Sequence, residues 1–202
     1  ISKTRLGQVK DYVQRAIDGH NLPGKVIAST NRKDLLSGAD CVVTAVSIGG
    51  AAYWGEPYRS EVEIPLKYGV QQTVADTIGV GGVFRFLRTA DEHLRFAKDM
   101  ERFCPDALML NYTNPMCMLT WLHSVGSSIQ NVGLCHSVQG TTKKLAQGVG
   151  VEYDDVSYLV AGINHQAWVL RLRHDNEDLY PKLREAVETH ESFAEDRVRV
   201  EM

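Results

Sequence analysis

Four short segments carry residue types that could do chemistry, and each stands beside a predicted strand. Cys135-His136 stands at the end of Asn131–Cys135, Asn114-Pro115 follows Ala107–Tyr112, and Ser47-Ile48-Gly49-Gly50 follows the apolar run Ala39–Val46. Asn164-His165 separates two strand-like segments, 156–160 and 167–173. A thiolate and an imidazole suit a divalent transition metal, and a site with two protein ligands keeps positions open for substrate oxygens and water. Glycines after a strand let the main chain approach a ligand closely. Spacing alone leaves plainer readings open. A cysteine at a strand end is commonly a small buried hydrophobe, and a lone histidine is commonly a satisfied hydrogen-bonding residue.

The elements that must position these residues follow from periodicity. Ile1 to Asp18 reads as an amphipathic helix stopped by the cluster Asn21-Leu22-Pro23-Gly24. Lys25–Thr30 reads as a short strand, 31–37 as a helical turn, and Ala39–Val46 as a strand buried on both faces of a parallel sheet. Residues 51–82 look irregular and hold Tyr53, Trp54 and Tyr58. A long helix is expected over 83–104, with Phe84, Leu87, Leu94, Ala97 and Met100 on its apolar side. Strands over 107–112 and 131–135, helices over 116–125 and 140–148, and a charged helical tail complete the reading. Alternating strands and helices imply an α/β fold with a doubly wound parallel sheet, whose ligands sit at the carboxyl ends of the strands. The special residues cluster at those ends.

Composition narrows the function classes. The 202 residues carry 22 Lys+Arg and 25 Asp+Glu, a formal net charge of −3, with 44% hydrophobic and 23% charged residues. A weakly acidic chain lacks the basic face that duplex binding needs, so no nucleic-acid partner is expected. No apolar run reaches the ~18 residues of a membrane span, so no membrane partner is expected either. Cys41, Cys104, Cys117 and Cys135 form no CxxC pair, as expected of a reduced, cytoplasmic protein.

Two resemblances sharpen this. Gly38–Val43 and Cys104–Pro115 resemble the later half of the NAD domain of lactate and malate dehydrogenases. There, a small-residue loop and an Asn-Pro turn lie beside the nicotinamide. The Gly-rich fingerprint GxGxxG is absent, and Gly79-Val80-Gly81-Gly82 follows no apolar strand. More specific is the run of four motifs: Gln72–Gly79 with Arg85 and Arg88-Thr89 after it, Asn111–Met116, Val132–Gly140, and Ala161–Trp168. In this order and spacing they resemble glycoside hydrolase family 4, nearest its bacterial α-galactosidase branch, over essentially the whole chain.

The resemblance implies a Rossmann-type domain over 1–138, lacking its first βα unit, and the beginning of an α+β substrate and oligomerisation domain over 139–202. It implies two cofactors, NAD and Mn²⁺ or a similar ion, and a small-molecule glycoside as substrate. In this family hydrolysis is redox-assisted, one of the exceptions to the usual carboxylate pair. The sugar is transiently oxidised at C3, its acidified C2 proton is taken by a Tyr, the aglycone is eliminated, water adds, and C3 is reduced again. By the resemblance, Cys135 and His165 match the metal ligands, and Asn114 holds sugar hydroxyls near the metal. Asp76 and Arg85 line the sugar pocket, and Ser47, Gly49, Gly50 and Asn114 meet the cofactor. His136 stands where the phosphoglycosidase branch carries an acidic residue, and an imidazole can also serve as an acid near neutral pH. A solvated helix face remains the plainer reading for Arg85 and Arg88, packing for Trp168, and a pocket rim or a surface loop for Tyr53, Trp54 and Tyr58.

Ile1 opens within a helical pattern and Met202 closes within another, so the chain reads as an internal piece. The phosphate-binding turn is expected before Ile1 and the catalytic Tyr after Met202, and the 202 residues alone are expected to be inert. A dimer or tetramer is expected from the family. Alternatives are an α-galacturonidase or 6-phospho-glycosidase of the same family, and a 2-hydroxyacid dehydrogenase. The last would need no metal-ready cysteine.

Overall fold

A computed structural model of the chain describes residues 2–49, 55–71 and 78–189. Gly50, Tyr53, Trp54, Asp76 and the rest of 72–77, all named above, lie outside the described residues. The chain divides into two compact units. One comprises Ile1–Ile48, Phe86–Thr113 and Met118–Gly133, and the other Gly49–Arg85, Asn114–Cys117 and Leu134–Met202.

In the first unit, α1 (Lys3–Gly19) opens on Ser2, whose hydroxyl accepts the Arg5 N–H. After the turn α2 (Lys33–Leu36) come three parallel strands: β1 (Cys41–Thr44), β2 (Leu108–Asn111) and β3 (Asn131–Gly133), in the order β1-β2-β3. Thr44 lies opposite Asn111 and Asn111 opposite Gly133, so the carboxyl ends of the three strands are aligned. The crossovers are α4 (Val80–Phe103) and α5 (Met116–Gly126), as parallel pairing requires. Leu36, Ala97, Met100, Cys104, Ala107, Met109 and Ile129 form the core.

Three expectations change here. Lys25–Thr30 forms no strand and pairs with none of the described strands. β1 is not buried on both faces: Val43 is 61% exposed, and β1 pairs only with β2 among the described residues. A cavity of about 350 Å³, lined by Leu35, Val42, Phe96 and Met100, runs beside it. The buried stripe of α4 is Arg85, Thr89, His93, Ala97 and Met100; Ala97 and Met100 are buried as expected, whereas Phe84 and Leu87 are exposed. Helical spacing is satisfied by either stripe, and tertiary packing chose the one with three polar members, Arg85, Thr89 and His93.

In the second unit, the segment expected to be irregular contains α3 (Tyr58–Lys67), whose Arg59 and Glu63 pair across one turn. α6 (Ser137–Gly148) leads through a 3₁₀ turn to an antiparallel sheet of β4 (Val156–Ile163), β5 (Gln166–His174) and β6 (Glu177–Asp178). α7 (Tyr180–Thr189) supplies Leu183 and Ala186 to a core shared with Leu172 and Leu179. The Tyr180 hydroxyl donates to the Val169 carbonyl, tying α7 to β5.

Candidate metal and substrate site

Two residues separated by 29 others in sequence meet in the second unit. Cys135 lies in the tight passage from β3 to α6, two residues before the helix begins. His165 lies in the hairpin between β4 and β5, where Ile163 pairs with Gln166 and leaves Asn164-His165 as a two-residue loop. Tight hairpin loops need left-handed backbone, and His165 takes it at φ 62°. A histidine is strained there relative to glycine, but the hairpin fixes it. Its Nε2 lies 3.5 Å from Sγ of Cys135.

The sulfur has further polar neighbours. Ser137 Oγ lies 3.0 Å from it, and the Ser137 N–H points to it at 3.4 Å. Burial pushes the Cys135 thiol up, but the hydrogen bonds from Ser137 and the approach of His165 outweigh it, so the thiol ends below its ordinary value. The positive end of α6 acts in the same direction. Cys104, in the apolar core, shows the opposite: burial alone pushes its thiol up.

The pair fits a shared ion. Donor atoms about 2.3 Å (sulfur) and about 2.1 Å (nitrogen) from one tetrahedral centre lie about 3.6 Å apart, close to the separation found. No group of three His, Cys, Asp or Glu side chains gathers among the described residues. A site with two protein donors would leave positions on an ion open to other oxygens.

His136 caps the N-terminus of α6 and is exposed. Asn114 precedes α5, and its Oδ1 accepts the Met116 N–H at 3.0 Å. Arg85 is not on a solvated face. It is 5% exposed, its Nε lies 3.4 Å from Glu61 Oε2, and its guanidinium carbon sits 3.9 Å over the Tyr58 ring. Tyr58 is itself buried, at neither a rim nor a surface loop. Trp168 is half-exposed on β5. Glu61 was not legible as a partner, because the α3 helix that carries it was not.

In the first unit a polar network fixes the strand ends. Asn111 Oδ1 accepts from the Thr44 hydroxyl at 2.9 Å and from the Thr113 N–H at 3.2 Å. Thr113 Oγ1 accepts from the Val46 N–H at 3.1 Å. Arg88 Nε donates to the Ile48 carbonyl at 3.2 Å, so Arg88 has a structural task in setting the Ser47-Ile48 main chain. Gly49 has φ 106°, open to glycine without strain. Thr44, Asn111 and Thr113 were missed as the residues that tie these strand ends together. The available signal was polar side chains at the carboxyl ends of otherwise apolar strands.

The sequence matches family 4 glycosyl hydrolases over residues 1–151 and that family's C-terminal domain over 160–202. The chain belongs to glycosyl hydrolase family 4. An α-galactosidase of Bacillus subtilis (strain 168) is 41% identical over 203 residues, covering 100% of this chain and 46% of that protein. An α-galacturonidase of Thermoanaerobacter italicus is 36% identical over 174 residues, covering 82% of this chain and 37% of that one. The chain therefore spans less than half the length of these curated relatives. A crystal structure of a 6-phospho-α-glucosidase from gut microorganisms, in complex with NAD and Mn²⁺, superposes with a TM-score of 0.82 at 18% identity, covering 94% of this chain and 43% of that one. That likeness fixes the fold as the Rossmann-type, doubly wound parallel sheet of α/β proteins. Membership of family 4 removes the 2-hydroxyacid dehydrogenase alternative. No helix among the described residues is long and apolar enough to cross a membrane.

Proposed function

We propose that this chain is the cofactor- and metal-holding part of a cytoplasmic α-galactosidase that uses NAD and a divalent ion such as Mn²⁺. The observation that carries the reading is the approach of Cys135 and His165 to a separation suited to one ion. The similarity supports galactosides over galacturonides, since it is higher and spans the whole chain for the α-galactosidase. The family's expected dimer or tetramer and the division at 138/139 belong to the same proposal.

When bound, NAD supplies a reversible hydride acceptor for the sugar's C3 and the ion supplies a Lewis acid for the C2 and C3 oxygens. The chain's own residues do the rest. Cys135 as thiolate and His165 as neutral imidazole hold the ion. Asn114, with its Oδ1 committed to the Met116 N–H, offers its amide NH₂ to a sugar hydroxyl. Ser47, Gly49 and Gly50 present main chain to the nicotinamide, and Arg85 and Asp76 bind sugar hydroxyls. His136, at the exposed start of α6, exchanges a proton with the leaving group or solvent.

The test uses the full-length protein and an aryl α-galactoside under reducing conditions, with NAD and Mn²⁺ together, then with each omitted, then with Cys135→Ala. Loss of hydrolysis in every reduced condition supports the reading. Cleavage indifferent to NAD and chelator overturns the mechanism. Activity only on a galacturonide or a 6-phosphoglycoside moves the substrate and keeps the mechanism.

A further inference from the structure

A cysteine that only fills space has carbon around its sulfur, as Cys104 does. Cys135 instead has a hydroxyl at 3.0 Å, a main-chain N–H at 3.4 Å and an imidazole nitrogen at 3.5 Å. Two of these three belong to Ser137, the first residue of α6. A serine at a helix start commonly turns its oxygen onto its own helix's N–H groups. Here the hydroxyl points back to the preceding loop and meets the sulfur. We propose that Ser137 is a positioning residue for the metal thiolate. Its hydroxyl and N–H both donate to Sγ of Cys135, setting where the sulfur stands and how much charge it gives the ion.

This rests on the reading that Cys135 and His165 share an ion. A metal-ligating sulfur is a thiolate and only accepts hydrogen bonds, so the hydroxyl proton of Ser137 must lie toward sulfur. Such donors act in two ways. They orient the ligand before the metal arrives, and they draw electron density from sulfur, leaving the ion the stronger Lewis acid. The second effect suits a site where the ion must polarise sugar oxygens while two soft or neutral ligands supply electrons to it. The main-chain donor comes with the helix start and any residue would keep it. The hydroxyl is the part that depends on the amino acid, and serine or threonine alone supplies it there. Ser137 is exposed, so its replacement opens no cavity.

The experiment uses the full-length protein stripped of metal and titrated with Co²⁺, reading the near-ultraviolet thiolate-to-cobalt charge-transfer band. Ser137→Ala and Ser137→Gly both lack the hydroxyl, and Ser137→Thr keeps it. The expected result is a 10- to 100-fold loss of Co²⁺ affinity in Ala and Gly, with the band moved to longer wavelength as sulfur becomes more electron-rich. Thr should restore both. Affinity and band position unchanged in Ala and Gly overturn the proposal, as does a loss in Thr equal to that in Ala. Absence of the band in the unsubstituted protein overturns the metal assignment itself, and the Ser137 role with it. A band present there but insensitive to Ser137 leaves the assignment standing and removes only the role.

Discussion

His93 of α4 and His123 of α5 stand with Nδ1 and Nε2 3.1 Å apart, and neither ring is exposed to solvent. One imidazole donates and the other accepts, which requires at least one neutral ring. His93 also packs against Phe96, and the pair joins the two crossover helices of the parallel sheet. Apolar periodicity pointed to neither residue.

The pair makes stability fall in acid. Burial first, and then the neighbouring His123, hold His93 down at about 4 from 6.5, with Glu92 opposing weakly, while burial also lowers His123. Because the unfolded chain takes up protons that the folded chain refuses, the contribution is complete above pH 6.5. It is lost as pH falls toward 4, by about 2 kcal/mol at pH 5 from His93 alone. Hydrogen exchange of α4 and α5 in the full-length protein should quicken from pH 7 to 5 beyond the intrinsic change. His93→Leu with His123→Leu should flatten that excess; an equal excess in the double variant would refute the account.

Asn111→Ala should cost roughly 2–4 kcal/mol, because it strands the Thr44 hydroxyl and the Thr113 N–H in a buried place. Chemical denaturation measures the loss. Thr113→Val, which removes the acceptor for the Val46 N–H, should also raise KM for NAD if the loop after β1 meets the cofactor. Unchanged stability in Asn111→Ala would deny the network its role.

Gly162→Ala should disable the hairpin that carries His165. Gly162 sits at φ 143°, and a Cβ there would overlap Cα of Ala167 and come within 2.5 Å of the Gln166 carbonyl oxygen. Both obstacles are main chain and cannot swing aside. Metal affinity should fall by at least tenfold, while Gly140→Ala, with open space around its Cβ, should leave it unchanged. Equal metal binding by both variants would contradict this.

Removing Glu61 takes away a carboxylate that lies 3.4 Å from the buried Arg85. Glu61→Leu is expected to destabilise by about 3 kcal/mol, and Arg85→Met in the same chain should recover part of it. A double-mutant cycle of thermal or denaturant midpoints reads the coupling. Strict additivity of the two substitutions would mean that the 3.4 Å approach carries no coupling.

What the sequence determined by itself was local or patterned. Alternating apolar runs gave the α/β class, and strand ends marked by Cys135, Asn114 and Ser47–Gly50 pointed to the ligand side of the sheet. The spacing of four motifs pointed to the family. What only tertiary structure decided depended on partners far away in the chain. Periodicity could not choose between two stripes of α4, because both satisfy the helical repeat and only the neighbours distinguish them. Nor could it tell a solvated Arg85 from one buried against Glu61 and Tyr58, since an arginine's environment is set by whatever packs over it. The meeting of Cys135 with His165 needed the hairpin turn at φ 62° and the strand-to-helix passage after β3. A sequence can name two candidate ligands; only the folded backbone brings Sγ of Cys135 and Nε2 of His165 to 3.5 Å.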